Sequence, residues 1–296
     1  MSNSRVITTG FKYFAPATLA EALGLLQQYK GRPLAGGTDL MNEIKTSRLT
    51  PEALVYTMTI EGLDSIAFDK ELTIGAAAKL SDIEAARSVQ EKYPALKEAV
   101  NAIGGTQIRN MGTLVGNLCN ASPGADIPPI LIALGATVVI NRAAEDGSIT
   151  ARELTLEDFF TGPKQTVLEP GELLTTVKVP EPPPDSGQSF RRLARVRLDI
   201  AKINCGVYLL RKGNSIGEVR ITFGSVAPTP VRAGRTEGVL QGQPYSEQLI
   251  RQAAAVITED IKPIDDIRSS AEYRNHTAAV LLKDALAEAW KRAGGK

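Results

Sequence analysis

Two stretches of glycine and small polar residues are the parts of this 296-residue chain best able to hold a bulky anion. In the first, Pro33, Leu34, Ala35, Gly36, Gly37, Thr38, Asp39 and Leu40 lead from an apolar run through adjacent glycines into a helical pattern. Glycines at such a junction let the backbone approach a ligand with its N–H groups aimed inward, and the helix N-terminus adds partial positive charge. Thr38 adds a hydroxyl that can donate to a phosphate oxygen. The second stretch, residues 104–126, contains Gly112, Thr113, Leu114, Val115, Gly116 and Asn117. Its only charged side chain before Asp126 is Arg109, while Ile108, Met111, Leu114, Val115 and Leu118 demand burial. It reads as a long loop without secondary structure, and such loops are either functional or disordered. The apolar residues disfavour disorder, and a large polar ligand lying between the two stretches would satisfy their backbone groups. Neither G-x-G-x-x-G nor G-x-x-x-x-G-K-[ST] occurs, so the familiar dinucleotide and P-loop assignments lack their residues. On the residues alone, this is an anion site of unspecified kind.

Other chemistry is scarce. His276 is the only histidine and reads as a solvated helix-face residue. Cys119 and Cys205 cannot make a four-cysteine metal site, and Cys119 reads as a small packed residue. No catalytic side chain and no metal ligand is assigned, so redox or group-transfer chemistry must come from a bound cofactor or a partner. The net charge of +1, with no dense run of Lys and Arg, excludes a nucleic-acid footprint. No apolar run approaches a membrane span. Residues 1–10 lack the apolar core of a secretory signal, and the expected address is cytoplasmic.

The elements that must position the two stretches follow from periodicity. Residues 18–21 have the S/T-x-x-E form of a capping box, after which Leu19, Leu23 and Leu26 recur at helical spacing. A short strand at 33–37 is expected next, then a helix over 38–46 capped by Thr38 or Asp39, and a strand at 54–58. Strands follow at 66–68 and 72–76, with a second capping box at 81–84 and a helix over 95–103. A further helix begins near 130, and strands lie at 137–141, 149–154 and 173–179. The four prolines within 180–187 read as a semi-rigid linker. Beyond it, strands at 190–197, 203–211 and 218–225 suit an antiparallel sheet. Helices at 246–257 and 271–291 close the chain, with Ala278, Leu282, Ala285 and Ala289 on one apolar face of the last. The fold class expected is α+β. A two-part α/β domain covers 1–179, with subdomains at about 1–60 and 61–179. The proline-rich linker at 180–188 joins it to a smaller α+β domain over 189–296, built from an antiparallel sheet and helices.

Several longer motifs narrow the chemistry. P-L-A-G-G-T-D-L at 33–40, Q-I-R-N-x-G-T-x-x-G-N-x-C-N at 107–120 and A-S-P-x-A-D at 121–126 strongly resemble the FAD-binding medium subunits of molybdenum hydroxylases. This is the xanthine dehydrogenase and carbon monoxide dehydrogenase group, with the bacterial xanthine dehydrogenase FAD subunit as the nearest likeness. The resemblance continues in F-F-T-G-P at 159–163, E-P-G-E-L-L at 169–174, D-I-A-K-I-N-C-G at 199–206 and F-G-S-V-A-P-T-P-V-R at 223–232. It implies a PCMH-type FAD-binding domain followed by a carbon monoxide dehydrogenase flavoprotein-type C-terminal domain.

By that resemblance, Pro33 to Leu40 face Gly112 to Asn117 across the FAD pyrophosphate and its neighbouring groups. Asp126 matches an acidic residue contacting the sugar-alcohol or adenosine portion, with helix capping as its alternative role. Leu174 matches a residue whose main chain lies near the isoalloxazine, and Arg191 a basic residue reaching the cofactor from the C-terminal domain. Val115 replaces a glycine of the family pattern. Ile103 stands where NAD-using relatives stack a phenylalanine, which leaves the acceptor open.

The resemblance further implies an electron relay. A large molybdenum-cofactor subunit oxidises substrate, a small subunit carries [2Fe–2S] clusters, and FAD on this chain passes electrons to NAD or another acceptor. The implied assembly is a dimer of heterotrimers. The rival readings are a free-standing FAD-dependent oxidase or reductase, a flavin-free scaffolding subunit, and a nucleotide binder without redox work. The substrate of the complex lies on another polypeptide.

Overall fold

The computed structural model describes residue 7 and residues 9–144 and 146–294. Most of the N-terminal stretch read as lacking an export signal therefore lies outside the described residues.

Three short strands form a parallel sheet in the order Lys12–Phe14, Ala53–Tyr56, Arg32–Leu34. The helix Leu19–Gln28 starts as its sequence predicts, with the Thr18 hydroxyl accepting from the Glu21 amide at 3.3 Å. The Glu21 carboxylate in turn accepts from the Ala17 amide at 3.1 Å, so two otherwise unpaired donors are satisfied. This helix buries Ala22, Leu23 and Leu26 in a core shared with Val55 and Ile60. The helix Leu40–Lys45 links the strands Arg32–Leu34 and Ala53–Tyr56.

A five-stranded antiparallel sheet follows, in the order Ile66–Asp69, Glu71–Gly75, Leu173–Pro180, Thr137–Ala143, Ile149–Thr155. The helices Pro94–Ala102, Leu114–Cys119 and Ile127–Ala133 share the main core with its inward residues, among them Ile74, Val138 and Val177. The register of Leu173–Pro180 against Thr137–Ala143 shifts between Leu174 and Thr176. Thr175 is buried in this irregularity, its hydroxyl donating to Asn141 Oδ1 at 2.5 Å and its carbonyl accepting from the Ala76 amide at 2.9 Å. A bulge of this kind re-aims the strand end it interrupts.

The second expected capping box does not form. The helix Leu80–Ala85 opens with Lys79 in the cap position, and the Ser81 hydroxyl donates instead to Asp82 Oδ1 at 3.3 Å. Lys79 is held there because the Leu80 amide bonds the Gly112 carbonyl at 2.9 Å, a tertiary contact invisible to local pattern.

The last sheet is antiparallel, in the order Ser186–Leu193, Ile203–Lys212, Ser215–Gly224, Val231–Arg232. Its first strand begins within the stretch read as linker and ends earlier than the expected 190–197. After Leu193 the chain folds back on itself, the Asp199 amide bonding the Val196 carbonyl at 3.1 Å and the Lys202 amide the Leu193 carbonyl at 2.8 Å. The proline-rich stretch is thus a short turn between Pro180 and Ser186. One face of this sheet packs on the helix Ile127–Ala133, where a Cβ built on Gly206 would lie 2.6 Å from the Ile130 Cα. The 22-residue helix Ala271–Arg292 covers the other face, burying Ala278, Leu282, Ala285 and Ala289 as their spacing predicts. The strand Lys12–Phe14 and the helix Gly234–Leu240 have no announcing pattern in the sequence. Among the described residues, no helix is long and apolar enough to cross a membrane.

Candidate cofactor site

The first glycine stretch leaves the edge strand Arg32–Leu34, where Pro33 interrupts no interior ladder. The Leu34 carbonyl is fixed by the Thr57 amide at 2.9 Å. The chain then turns at Gly37, whose φ of 68° is left-handed, and enters the helix Leu40–Lys45. Asp39, one of the two residues expected there, occupies the cap position, but without a side-chain bond.

Gly36 has a different role from the one its sequence suggests. A Cβ built there would lie 1.8 Å from the Met111 carbonyl oxygen and 2.9 Å from the Gly112 nitrogen. Its missing side chain therefore lets the first stretch touch the second, backbone against backbone.

The second stretch is not structureless. It contains the helices Thr106–Arg109 and Leu114–Cys119, the latter capped by the Thr113 hydroxyl, which accepts from the Gly116 amide at 2.9 Å. Buried Arg109 ties its start down. Its guanidinium donates to Glu84 Oε2 at 2.9 Å and to the carbonyls of Ile103 and Gly104 at 3.2 Å each. Short helices escaped the sequence reading because four- and six-residue segments carry too little periodicity.

The two stretches bound one cavity of about 730 Å³, within the ~300–1,000 Å³ usual for small-molecule clefts. Pro33 lines it together with Ala35, Gly36, Gly37, Thr38, Asp39 and Leu40. Gly112, Thr113, Val115, Gly116 and Asn117 form the opposing wall, and Ile103 and Leu174 complete it. Leu34 lines a smaller adjoining cavity of about 320 Å³ that shares Ala35, Gly36 and Gly37. Leu114 is fully buried in the main core and does not line the cavity.

Asp126 and Arg191 are not brought to this cavity. Asp126 is buried and saturated, its Oδ1 accepting from Arg192 Nε at 3.1 Å and Asn204 Nδ2 at 2.8 Å. Burial lifts its carboxyl above its ordinary value, against the pull of Arg192 and Asn204. Asp126 occupies the cap position of the helix Ile127–Ala133, but its carboxylate bonds none of that helix's amides. Arg191 pairs with Glu288 at 3.4 Å. Consecutive strand residues face opposite ways, and it is Arg192 whose side chain turns toward Asp126.

Three sets of lining residues were not singled out by sequence. Leu26, Thr57, Ala76 and Leu80 form part of the cavity wall, and their types give no signal. Glu43 and Lys164, an ion pair at 3.2 Å, stand at its edge. Leu168 to Leu173 form the wall beside Leu174, and here E-P-G-E-L-L was a usable signal. Within that wall Glu172 is buried and held by a two-pronged bond from Arg152, at 2.9 and 2.7 Å. Burial alone would raise the Glu172 carboxyl, but Arg152 and the Glu169 amide hold it below its ordinary range.

The cavity suits a polar, anionic ligand. Among the described residues, none accepts a hydrogen bond from the backbone amides of Ala35, Gly36, Gly37, Thr38 or Asp39, or from those of Thr113 and Val115. Asn117 Oδ1 is buried with no partner. Buried polar groups are almost always paired, so Asn117 Oδ1 is open to a ligand's donor, and the amides beside it, in part those a helix N-terminus leaves free, are open to a ligand's acceptors. Cys119 also lines the cavity, and burial pushes its thiol up to about 12, which leaves it neutral.

Comparison with known proteins gives a consistent result. Residues 9–182 match the family described as the FAD binding domain in molybdopterin dehydrogenase, and residues 188–289 the CO dehydrogenase flavoprotein C-terminal domain. The medium chain of carbon monoxide dehydrogenase from Hydrogenophaga pseudoflava is 31% identical, covering 97% of this chain and 99% of its own. The xanthine dehydrogenase FAD-binding subunit of Escherichia coli O157:H7 is 30% identical, covering 96% and 97% respectively. A solved structure of the Hydrogenophaga pseudoflava carbon monoxide dehydrogenase superposes with a TM-score of 0.91, at 31% identity, over 97% of this chain and 99% of that one.

Proposed function

This chain belongs to the family of FAD-binding medium subunits of molybdenum hydroxylases, and from that membership we propose how its residues hold the cofactor and where the electrons leave. It is the FAD-binding electron-transfer subunit of a molybdenum, iron–sulfur and flavin enzyme, an oxidoreductase component working with large and small partner subunits. Bound FAD exchanges electrons in ones and twos, chemistry the amino-acid side chains do not supply. The chain binds the cofactor, orients it and shields it from water.

The observation that carries the residue assignment is the junction at Gly36. Two backbones meet there, and on either side lie amides without protein acceptors. In this reading, the amides of residues 35–39, of Thr113 and of Val115 take the pyrophosphate oxygens, aided by the Thr38 hydroxyl. Asn117 Oδ1 accepts a hydrogen bond from the ligand. Val115 is compatible with this role because it lies in the helix Leu114–Cys119, whose backbone needs no glycine. The re-aimed strand end at Leu174 and the half-buried Ile103 supply apolar walls for the flavin ring.

Ile103 leaves no aromatic ring to stack on the flavin at that position. This favours an acceptor other than NAD. A cytoplasmic complex built as a dimer of heterotrimers is the assembly that best suits the reading. Purified chain mixed with FAD and desalted is expected to retain one flavin per chain and its visible absorption. A colourless protein after that treatment overturns the proposal. Stoichiometric flavin lost on substituting Gly36, but unaffected by substituting Asp126, would support the residue assignment.

A further inference from the structure

Resting on the reading that the cavity holds FAD, we infer that Arg109 is a positioning residue for the flavin. Its guanidinium fixes the turn at Ile103 and Gly104, and so sets where Ile103 stands in the cavity wall. Thr106, Gln107, Ile108, Asn110 and Met111 are exposed, while Arg109, the charged residue among them, is buried. A buried cation is costly unless its partners compensate, so the groups that Arg109 bonds define its role.

Those bonds run in two directions. Nη1 donates to the carbonyls of Ile103 and Gly104 at 3.2 Å each, and Nε to Glu84 Oε2 at 2.9 Å. No backbone amide of the described residues reaches either carbonyl. The helix Pro94–Ala102 has ended there, and Gly104, at a φ of 48°, turns the chain. The guanidinium thus replaces backbone bonds at the point where the helix gives way to the cavity wall. Ile103 lines that wall, and so does Ile108, whose Cβ would lie 3.0 Å from a Cβ built on Gly104.

Glu84 is the anchor. It sits on the helix Leu80–Ala85, whose Leu80 amide bonds the Gly112 carbonyl at 2.9 Å. One short helix therefore holds the stretch from Ile103 to Gly112 at two places, through the Arg109 side chain and through the Gly112 backbone.

The arrangement needs a guanidinium. An arginine fork can address acceptors on two elements at once, whereas a lysine ammonium is a single point charge on a flexible stem. Placement of Ile103 then matters to the flavin through water. Uptake of two electrons and one proton leaves the flavin ring anionic, a form that water stabilises and an apolar wall does not. A wall that drifts outward admits water and favours binding of reduced over oxidised FAD.

The test is a double-mutant cycle on the full chain with Arg109→Lys and Ile103→Ala, reading the dissociation constants of oxidised and reduced FAD. Arg109→Lys is expected to shift their ratio ~10-fold in favour of the reduced form, or about 30 mV of two-electron potential. Ile103→Ala should shift it the same way, and the double variant no further, since both act at one place. In the ligand-free chain, hydrogen exchange across residues 103–112 should quicken ~10-fold in Arg109→Lys. Should that variant not fold, Glu84→Gln, which keeps an acceptor without the charge, takes its place in the cycle. An unsubstituted chain that takes up no FAD overturns the cofactor reading, and the ligand-free exchange then tells separately whether Arg109 holds the turn. With FAD bound throughout, two outcomes overturn the positioning role. An unchanged ratio in Arg109→Lys beside a lowered Tm makes Arg109 structural only, and shifts that add in the double variant separate it from Ile103.

Discussion

The cavity between the two glycine stretches and the cluster around Asp126 lie close in sequence, yet they treat their polar groups in opposite ways. In the cavity, a row of backbone amides and Asn117 Oδ1 have no protein partner among the described residues. Around Asp126, the carboxylate, Arg192 and the amide group of Asn204 bond one another and nearby carbonyls, and Asn204 Nδ2 also reaches the Ala125 carbonyl at 3.0 Å. Both regions carry motifs of the same family. The difference is that around Asp126 the carboxylate and the guanidinium are paired within the chain, with only Asn204 Oδ1 left without a partner, whereas the amides along the cavity have none. The charged pair of Asp126 and Arg192 fastens the C-terminal sheet beside the helix Ile127–Ala133, whereas the open amides of the cavity are the groups assigned above to a ligand.

Removing a partner from each region should therefore have opposite signatures. Asp126→Ala is expected to lower stability by about 3 kcal/mol, because it strands the mostly buried Arg192 guanidinium. Urea unfolding measures this, and flavin affinity of the folded fraction should change little. A large loss of flavin affinity with unchanged stability would break the contrast. Gly36→Val acts the other way. Its side chain would collide with the Met111 carbonyl and part the two stretches, so the FAD dissociation constant should rise ~100-fold, or ~2.7 kcal/mol. Flavin titration followed by fluorescence is the measurement.

Asn117→Ala sharpens the comparison further. If Oδ1 accepts a hydrogen bond from FAD, its loss should cost about 1.4 kcal/mol of affinity, or ~10-fold. The ligand-free chain should become no less stable, since a buried acceptor without a partner has been removed. A lowered Tm of the ligand-free variant would show that Asn117 is structural, like Asp126, and would remove it from the site.

Much of this was legible in the sequence, for reasons that differ between elements. The helix at Leu19–Gln28 and the apolar face of Ala271–Arg292 follow from local periodicity and capping, which need no partner elsewhere. The two glycine stretches were legible as segments that bound one site, though the helices within the second were not. That Gly36 serves loop-to-loop contact was not, since it depends on where Met111 lies in space. Ser81 failed as a cap because the Leu80 amide is tied to Gly112. Asp126 and Arg191 were drawn to the cofactor by motif position; in the structure they stand outside the cavity lining, Asp126 bonded to Arg192 and Asn204 and Arg191 paired with Glu288. Glu172, inside a recognised motif, was not singled out, since its burial depends on Arg152, 20 residues away in the sequence.

Glu172 offers the smallest and most discriminating effect, because it belongs to both kinds of region. It lines the cavity, yet Arg152 and the Glu169 amide already satisfy it. Its carboxyl is held below its ordinary value of 4.5, so its ionised form is favoured by folding. The stability it contributes is present in full above the unfolded value and is lost as pH falls through the lower folded value. Because Arg152 is partly exposed, Glu172→Gln should cost no more than about 1 kcal/mol near neutral pH. The gap between the parent chain and the variant should stay constant down to about pH 4.5 and close below it. Urea titrations at a series of pH values read this directly. A gap that widened on acidification would reverse the sign and show that Glu172 is protonated in the folded chain. If FAD affinity stays within about twofold of the parent, Glu172 supports the wall beside Leu174 and belongs with the groups paired within the chain, despite its place in the cavity. A tenfold loss would place it among the groups that the ligand completes.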